Sequence, residues 1–249
     1  MPDNRHEWNA EAYNELPLPH VEWGRRVVGQ LDLKGDEHVL EAGVGTGRDA
    51  ELVLGRLPDG RLTALDGSEN MLALARQRLA RFGGRVTTVL ADFNEPLPLD
   101  EPADAIYSVA TFHWLPDHDR LFANLAQALR PGGQLVFDCG GKGNVADIER
   151  AVGAVRGSEP MRWNFRDEEQ TRVSLEGAGF DVLQVHRRPH RVSLPDRECF
   201  VRFLDVISLG RETQLMDAPT REAFVKAVAD RLPGNEVVFV RLEATARRR

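Results

Sequence analysis

The sequence predicts an α/β fold, a mostly parallel, doubly wound sheet flanked by helices. Three observations carry this reading. Apolar and β-branched runs recur between residues 37 and 139, at EHVLEA, RLTALD, RVTTVLA, ADAIYSVA and QLVFDC, with helical patterns between the early ones and before the last. Such alternation makes parallel strands joined by crossovers. The first run leads directly into Gly43, Gly45 and Gly47, a strand, tight turn and helix start, and the next run closes on an acid, Asp66. That arrangement suits a nucleoside-bearing ligand.

Taken in order, residues 1–34 carry Trp8, Tyr13 and Trp23 and then RRVVGQLDL, which reads as a helix entering the core. Trp8 and Tyr13 lie five apart on a predicted N-terminal helix, placed to close over a bound ligand. Ser68 is a candidate N-cap for a helix burying Leu72, Ala75, Leu79 and Phe82 at three- and four-residue intervals. A later helix, 119–129, buries Phe122, Leu125 and Leu129 before Pro131, Gly132 and Gly133 stop it. Beyond residue 140 the pattern loosens. It gives a helix near 147–155, the loop SEPMRWNFRDEE, a helix ending at Gly177 to Gly179 and the strand FDVLQVHRR. Helices around FVRFLDVISL and REAFVKAVADRL then precede a long strand, NEVVFVRLEAT, which could pair antiparallel with the previous one. The expected organisation of residues 1–249 is one domain, with an N-terminal helical lid (1–34), a core (35–189 and 235–249) and a helical lid inserted at the sheet edge (190–234).

Composition narrows the function. The 249 residues, 42% apolar, suffice for one large core. The 39 acids outnumber the 32 bases, so nothing draws the whole chain to phosphate backbones, and HRRPHR and the ATARRR tail read as solvated surface. The expectation is a small-molecule substrate and no nucleic-acid partner. No apolar run approaches a membrane span, and the start lacks both a basic leader and an apolar middle, so a cytoplasmic chain without a membrane partner is expected. Cys139 and Cys199 form no CxxC pattern, so no metal site is expected. A monomer and a homodimer both remain open.

In the glycine turn, Gly43 permits the reversal, Gly45 removes a Cβ from the ligand's approach, and Gly47 relieves crowding where strand meets helix. A dinucleotide fingerprint would require glycine at position 48, where Arg48 stands. Glu41 would also place negative charge near a pyrophosphate. A cofactor with an amino-acid head and no phosphate removes that conflict.

The segment Glu41 to Gly47, EAGVGTG, resembles motif I of the class I S-adenosylmethionine-dependent methyltransferases. Asp66 in TALDGS is similar to that family's ribose-binding acid, Ala91 and Asp92 in VLADFN to its adenine-edge segment, and Leu129 to Gly133 to its turn before the fifth strand. The motifs cover about residues 37–140. WNAEAYN and FHWLPDHDRLFANLAQALRPGG look similar to the trans-aconitate methyltransferase group and its small-molecule relatives. The resemblance implies a Rossmann-like, seven-stranded sheet, mostly parallel with an antiparallel edge strand, plus N-terminal helices and an inserted lid. It implies S-adenosyl-L-methionine as cofactor and S-adenosyl-L-homocysteine as product.

On that footing, Asp66 accepts hydrogen bonds from the ribose hydroxyls, with Gly67 beside it, while Ala91, Asp92 and Phe93 surround the adenine. Glu41 stands near the methionine end, and Gly43, Val44 and Gly45 present backbone amides to the cofactor. Ala110 and Thr111, after the fourth strand, meet the methionine ammonium and the transferable methyl. Trp8 and Tyr13 cover the cofactor, and Tyr13 also faces the acceptor. His113 is the candidate base or acceptor partner, with a packed, loop-steadying histidine as the competing reading. Trp114 and Trp163 are pocket walls, and Arg162 and Arg202 are candidate carboxylate partners. No base is required if the acceptor is already a carboxylate, so catalysis by proximity is expected. A small organic acceptor, with a carboxylic acid favoured, leads. Phenol, amine or carbon methylation, an NAD-linked oxidoreductase and a non-catalytic adenosylmethionine-binding protein are the alternatives.

Overall fold

The computed structural model describes residues 7–16, 19–157 and 163–249. Seven strands form one sheet in the order β3-β2-β1-β4-β5-β7-β6. These are β1 (His38–Ala42), β2 (Arg61–Asp66), β3 (Val86–Leu90), β4 (Ala103–Val109), β5 (Leu129–Gly140), β6 (Phe180–Ser193) and β7 (Glu236–Arg248). Strands β1 to β5 pair parallel, and β7 runs antiparallel to both β5 and β6. The one reversed strand therefore lies one place in from the edge, which β6 occupies. All five residues of β1 are buried, as expected of a parallel strand covered on both faces.

The helices are α1 (Ala10–Glu15), α2 (His20–Gln30), α3 (Arg48–Leu54), α4 (Glu69–Leu79), α5 (His118–Ala128), α6 (Ala146–Arg156), α7 (Glu168–Gly177), α8 (Arg197–Phe203), α9 (Gly210–Thr213) and α10 (Ala218–Ala229). A π-helical turn, Leu204–Ser208, continues α8. Two apolar clusters cover the two sheet faces, one centred on α2, α3 and the segment between β6 and β7, the other on α5 and α7.

Local chemistry sets the boundaries. The Asn9 side chain accepts the Ala12 N–H, so α1 begins after Trp8, which lies off the helix that the spacing predicts for it. The chain leaves α5 at Leu129, in extended conformation, before Pro131 is reached. Strand β6 runs five residues beyond HRR, through Pro189, to Ser193. Pro189 is tolerated because β6 is an edge strand with one neighbour. The first helix of the segment between β6 and β7 consequently starts at Arg197.

Candidate active site

A crevice opens at the carboxyl ends of β1, β2, β4 and β5, where ligands bind in sheets of this topology. Gly43, Gly45 and Gly47 all have positive φ (88°, 52° and 82°). A Cβ on Gly43 would stand 2.0 Å from Thr111 Oγ1, so this glycine lets the turn pack against the end of β4. A Cβ on Gly45 would meet nothing within 4 Å, and Gly45 lines the crevice. The turn is a cradle that a side chain would fill.

The amides expected to face a cofactor are already used. Gly43 and Val44 donate to Leu65 O (2.8 and 2.9 Å), and Gly45 donates to Asp66 Oδ2 (2.8 Å). The Val44 side chain is buried in the core. What the turn offers a ligand is the open space at Gly45. Glu41 also departs from expectation. It is 1% exposed, accepts a 2.6 Å hydrogen bond from Tyr107 Oη, and is not among the crevice residues. Burial, reinforced by the nearby Asp49, holds its carboxyl well above the usual range. Glu41 and Tyr107 are paired across β1 and β4, so the strand alternation that places Glu41 there turns it inward.

Asp66 closes β2 facing the crevice. Oδ2 accepts from Gly45 and Oδ1 from the Ser68 N–H (2.9 Å), which leaves roughly two of the four lone-pair positions of an ionised carboxylate free. Burial pushes its pKa up to about 6 against the lowering effect of these bonds. Gly67, Ala91, Asp92 and Phe93 line one lobe of the crevice with Asn94 and Leu115. Ala91 donates to Asp66 O (2.9 Å), and Asp92 Oδ1 accepts the Asn94 N–H (2.9 Å), fixing this wall.

Ala110 carries φ +56°, costly for a residue with a Cβ, and its N–H is held by Asp138 O at 2.7 Å. The tight turn Phe112–Trp114 follows. Phe112 is wholly buried against Phe122 and Phe137, whereas Thr111, His113 and Trp114 face the crevice. The Gly140 N–H donates to His113 Nδ1 (3.2 Å), which assigns the ring proton to Nε2. Burial, with Arg241 nearby, holds the ring well below its ordinary pKa. His113 is thus a neutral imidazole whose lone pair is occupied, stacked on Phe165. It is built to donate a hydrogen bond from Nε2.

The segment before α1 is clamped to the far side of the crevice. The Glu7 carboxylate accepts from Ser68 Oγ (2.9 Å) and from the Glu69 and Asn70 N–H groups (3.1 and 3.3 Å), at the positive N-terminal end of α4. Trp8 lies edge-on to Trp114, ring centroids 5.2 Å apart, and to Tyr13 at 6.2 Å.

The second lobe is aromatic. Tyr13, Trp23, Trp163, Phe165 and Phe239 line it, with His20 held neutral by burial, its pKa pushed down to about 3. Arg241 of β7 joins them, 1% exposed, with Nε (2.9 Å) and Nη2 both on Asp138 Oδ1 and its Cζ 3.7 Å from the Trp23 ring centroid. The lobes share Trp8, Asp66, Thr111 and Trp114. Of the arginines expected here, Arg202 is half-exposed on α8 and paired with Glu15, away from the crevice, and Arg162 lies outside the described residues. Arg48 donates to Asn14 O (2.6 Å) and Oδ1 (2.9 Å), tying α3 to α1. Sequence reasoning missed Glu7, His20, Trp23 as a site residue and Arg241. An arginine inside the apolar strand VVFVRLEA was the one signal available.

A family model described as a methyltransferase domain matches residues 39–133. Trans-aconitate 2-methyltransferase of Acidovorax sp. (strain JS42) is 26% identical over 236 residues, covering 91% of this chain and 89% of that protein. The enzyme of the same name from Variovorax paradoxus (strain S110) is 34% identical over 133 residues, 53% of this chain and 49% of the relative. The crystal structure of geranyl diphosphate C-methyltransferase from Streptomyces coelicolor A3(2) superposes with a TM-score of 0.61 at 16% identity, over 96% of this chain and 83% of that one. At that identity the likeness is one of fold.

Proposed function

From the premise that this chain belongs to the class I S-adenosylmethionine-dependent methyltransferase superfamily, near its trans-aconitate-like small-molecule members, we propose that it methylates a carboxylic-acid oxygen of a small organic acceptor. The observation that carries this is the two-lobed crevice: a carboxylate-edged lobe and an aromatic lobe meet at Thr111 and Trp114, so that a cofactor and an acceptor can abut there.

In this reading Asp66 receives the ribose hydroxyls, Ala91 to Phe93 border the adenine, and carbonyls at Gly43 and Ala110 receive the methionine ammonium. Bound S-adenosylmethionine supplies a methyl group activated by a sulfonium and leaves as S-adenosylhomocysteine. The protein's part is alignment and exclusion of water. Trp8, Tyr13, Trp114 and Trp163 wall the junction, and His113 Nε2–H orients an acceptor oxygen. A histidine whose lone pair is engaged removes no proton, which favours an acceptor already ionised at neutral pH. The helices of residues 1–34 and those between β6 and β7 act as lids, the latter through Ile207 and Ser208 on the aromatic lobe and Arg211 on the other.

The test is incubation with methyl-labelled S-adenosylmethionine and a mixture of small acids, trans-aconitate among them, phenols and amines, followed by mass spectrometry. A labelled carboxylic ester is expected. Label on nitrogen or carbon would overturn the acid reading, and failure to bind the cofactor in calorimetry would overturn the whole.

Glu7→Ala is expected to weaken cofactor binding about fivefold, because losing the carboxylate at the α4 N-terminus costs about 1 kcal/mol and frees Trp8. Calorimetric titration with S-adenosylhomocysteine reads this directly, and an unchanged Kd would show that the segment clamps nothing of consequence.

A further inference from the structure

We infer that Asn144, on the turn between β5 and α6, binds the acceptor: its Nδ2, together with His113 Nε2, holds one oxygen of the carboxylate whose other oxygen takes the methyl. The inference rests on the methyltransferase reading above and adds the residue that tells an acid from its neutral analogues. Asn144 is 4% exposed, lines the aromatic lobe and does not border the adenine lobe. The backbone orients its carboxamide. The Val240 N–H donates to Oδ1 at 2.9 Å, which fixes the oxygen end of the amide. Nδ2, the other end, carries two N–H donors and has no acceptor among the described residues.

Gly140 organises both donors. Its N–H occupies His113 Nδ1 (3.2 Å), and a Cβ on it would stand 2.8 Å from Asn144 Nδ2 and 2.6 Å from Phe165 Cε1. Glycine at this position lets the amide and the Phe165 ring close over the end of β5. The turn that presents Asn144 is strained, since Val145 has φ +47°, an outlier for a β-branched residue. Strand β7 holds it through the bonds Gly141 N–H to Val240 O (2.9 Å) and Val145 N–H to Val238 O (3.2 Å). Strain persists where the surroundings impose it, and here it fixes the free amide before any ligand arrives.

Position and chemistry agree. Thr111, His113 and Trp114 follow β4 and Asn144 follows β5, so the two donors stand on neighbouring strand ends beside the junction of the lobes. Two neutral N–H groups orient a carboxylate without cancelling its charge, whereas a guanidinium fork would pair both of its oxygens. One oxygen therefore stays available to attack.

The test uses protein saturated with S-adenosylhomocysteine, titrated in a calorimeter at pH 8 with trans-aconitate, cinnamate and benzoate and with the primary amide of each. Wild type is expected to bind at least one acid and to prefer it to its amide. Asn144→Asp keeps an oxygen for the Val240 N–H and replaces the two donors by an acceptor. Acid affinity should fall at least about 30-fold, the amide should bind this variant more tightly than wild type, and S-adenosylhomocysteine affinity should stay within about threefold. A role confined to bracing Val240 would move neither ligand, and a remote charge would repel the acid without attracting the amide. Asn144→Ala, which loses the donors and adds no charge, should weaken the acid about tenfold without reversing the preference. Unchanged acid binding in either variant overturns the inference. So does loss of the acid in Asn144→Asp with no gain for the amide, and so does a parallel loss of S-adenosylhomocysteine affinity, which would place Asn144 on the cofactor. A wild type that binds none of the acids, or binds them no better than their amides, overturns it too. A wild type that does not bind S-adenosylhomocysteine overturns the methyltransferase reading itself.

Discussion

Asp66→Ala is expected to lower affinity for S-adenosylmethionine and S-adenosylhomocysteine by about 100-fold, close to 3 kcal/mol, the loss of two hydrogen bonds to a charged acceptor. The carboxylate lines both lobes of the crevice, and its bonds to Gly45 and Ser68 fix the glycine turn and the start of α4. One substitution would therefore remove the proposed ribose acceptors together with the brace on Gly45. Acidification should mimic it. Burial holds Asp66 at about 6, and the proposed bonds to ribose hydroxyls need its ionised form, so below that pH a proton must leave as the cofactor binds. Affinity should fall about tenfold from pH 7 to pH 5 in wild type and stay nearly flat over that window in Asp66→Ala. Asp49, pushed by burial to about 7, titrates in both proteins and cancels in the comparison. The sign for stability is opposite. An acid whose folded pKa lies above its unfolded value binds more protons when folded, so its contribution declines as pH rises through the interval between about 4 and 6. Asp66→Ala should thus cost less stability at pH 7 than at pH 5. A variant that binds cofactor like wild type at pH 7 would remove Asp66 from the ribose.

The parts of this molecule that could be read in sequence are those in which neighbours along the chain are neighbours in space. The alternation of strands and helices from β1 to β5 is of this kind, and so are the glycine turn and the acid at the end of β2. Each depends on one strand, one turn and one helix start. Sequence does not show which acceptor takes a backbone N–H. The amides of Gly43 and Gly45 are spent on Leu65 and Asp66, a fact set by how β1 and β2 pair. Nor does it show which way a residue at a strand end faces, and Glu41 turns to Tyr107 through the β1 to β4 register. The aromatic lobe was hidden for a third reason. Arg241 and Asp138 are 103 residues apart and Glu7 and Ser68 are 61 apart, and they meet only because β7 inserts beside β5 and the N-terminal segment folds back on α4. Arg202, by contrast, sits on a helix face that packing leaves outward.

Arg241→Met and Asp138→Leu are each expected to destabilise the fold by about 3–5 kcal/mol, since each leaves an uncompensated charge inside the protein. For a chain of 249 residues this corresponds to a fall in Tm of about 10 °C. The double exchange Arg241→Met with Asp138→Leu should recover most of the loss and can exceed wild type, because a well-packed apolar pair avoids the desolvation that the ion pair incurs. Asp138 already shows the cost: Oδ2 is buried without a partner, and burial raises the carboxyl's pKa despite the adjacent guanidinium. Urea melts of the four proteins complete a double-mutant cycle, and additive single effects with no recovery would contradict the pairing. The outcome bears on what the pair is for. If an apolar substitute folds as well, the fold does not need charge at this place, and the pair is kept for the crevice that Arg241 lines rather than for stability.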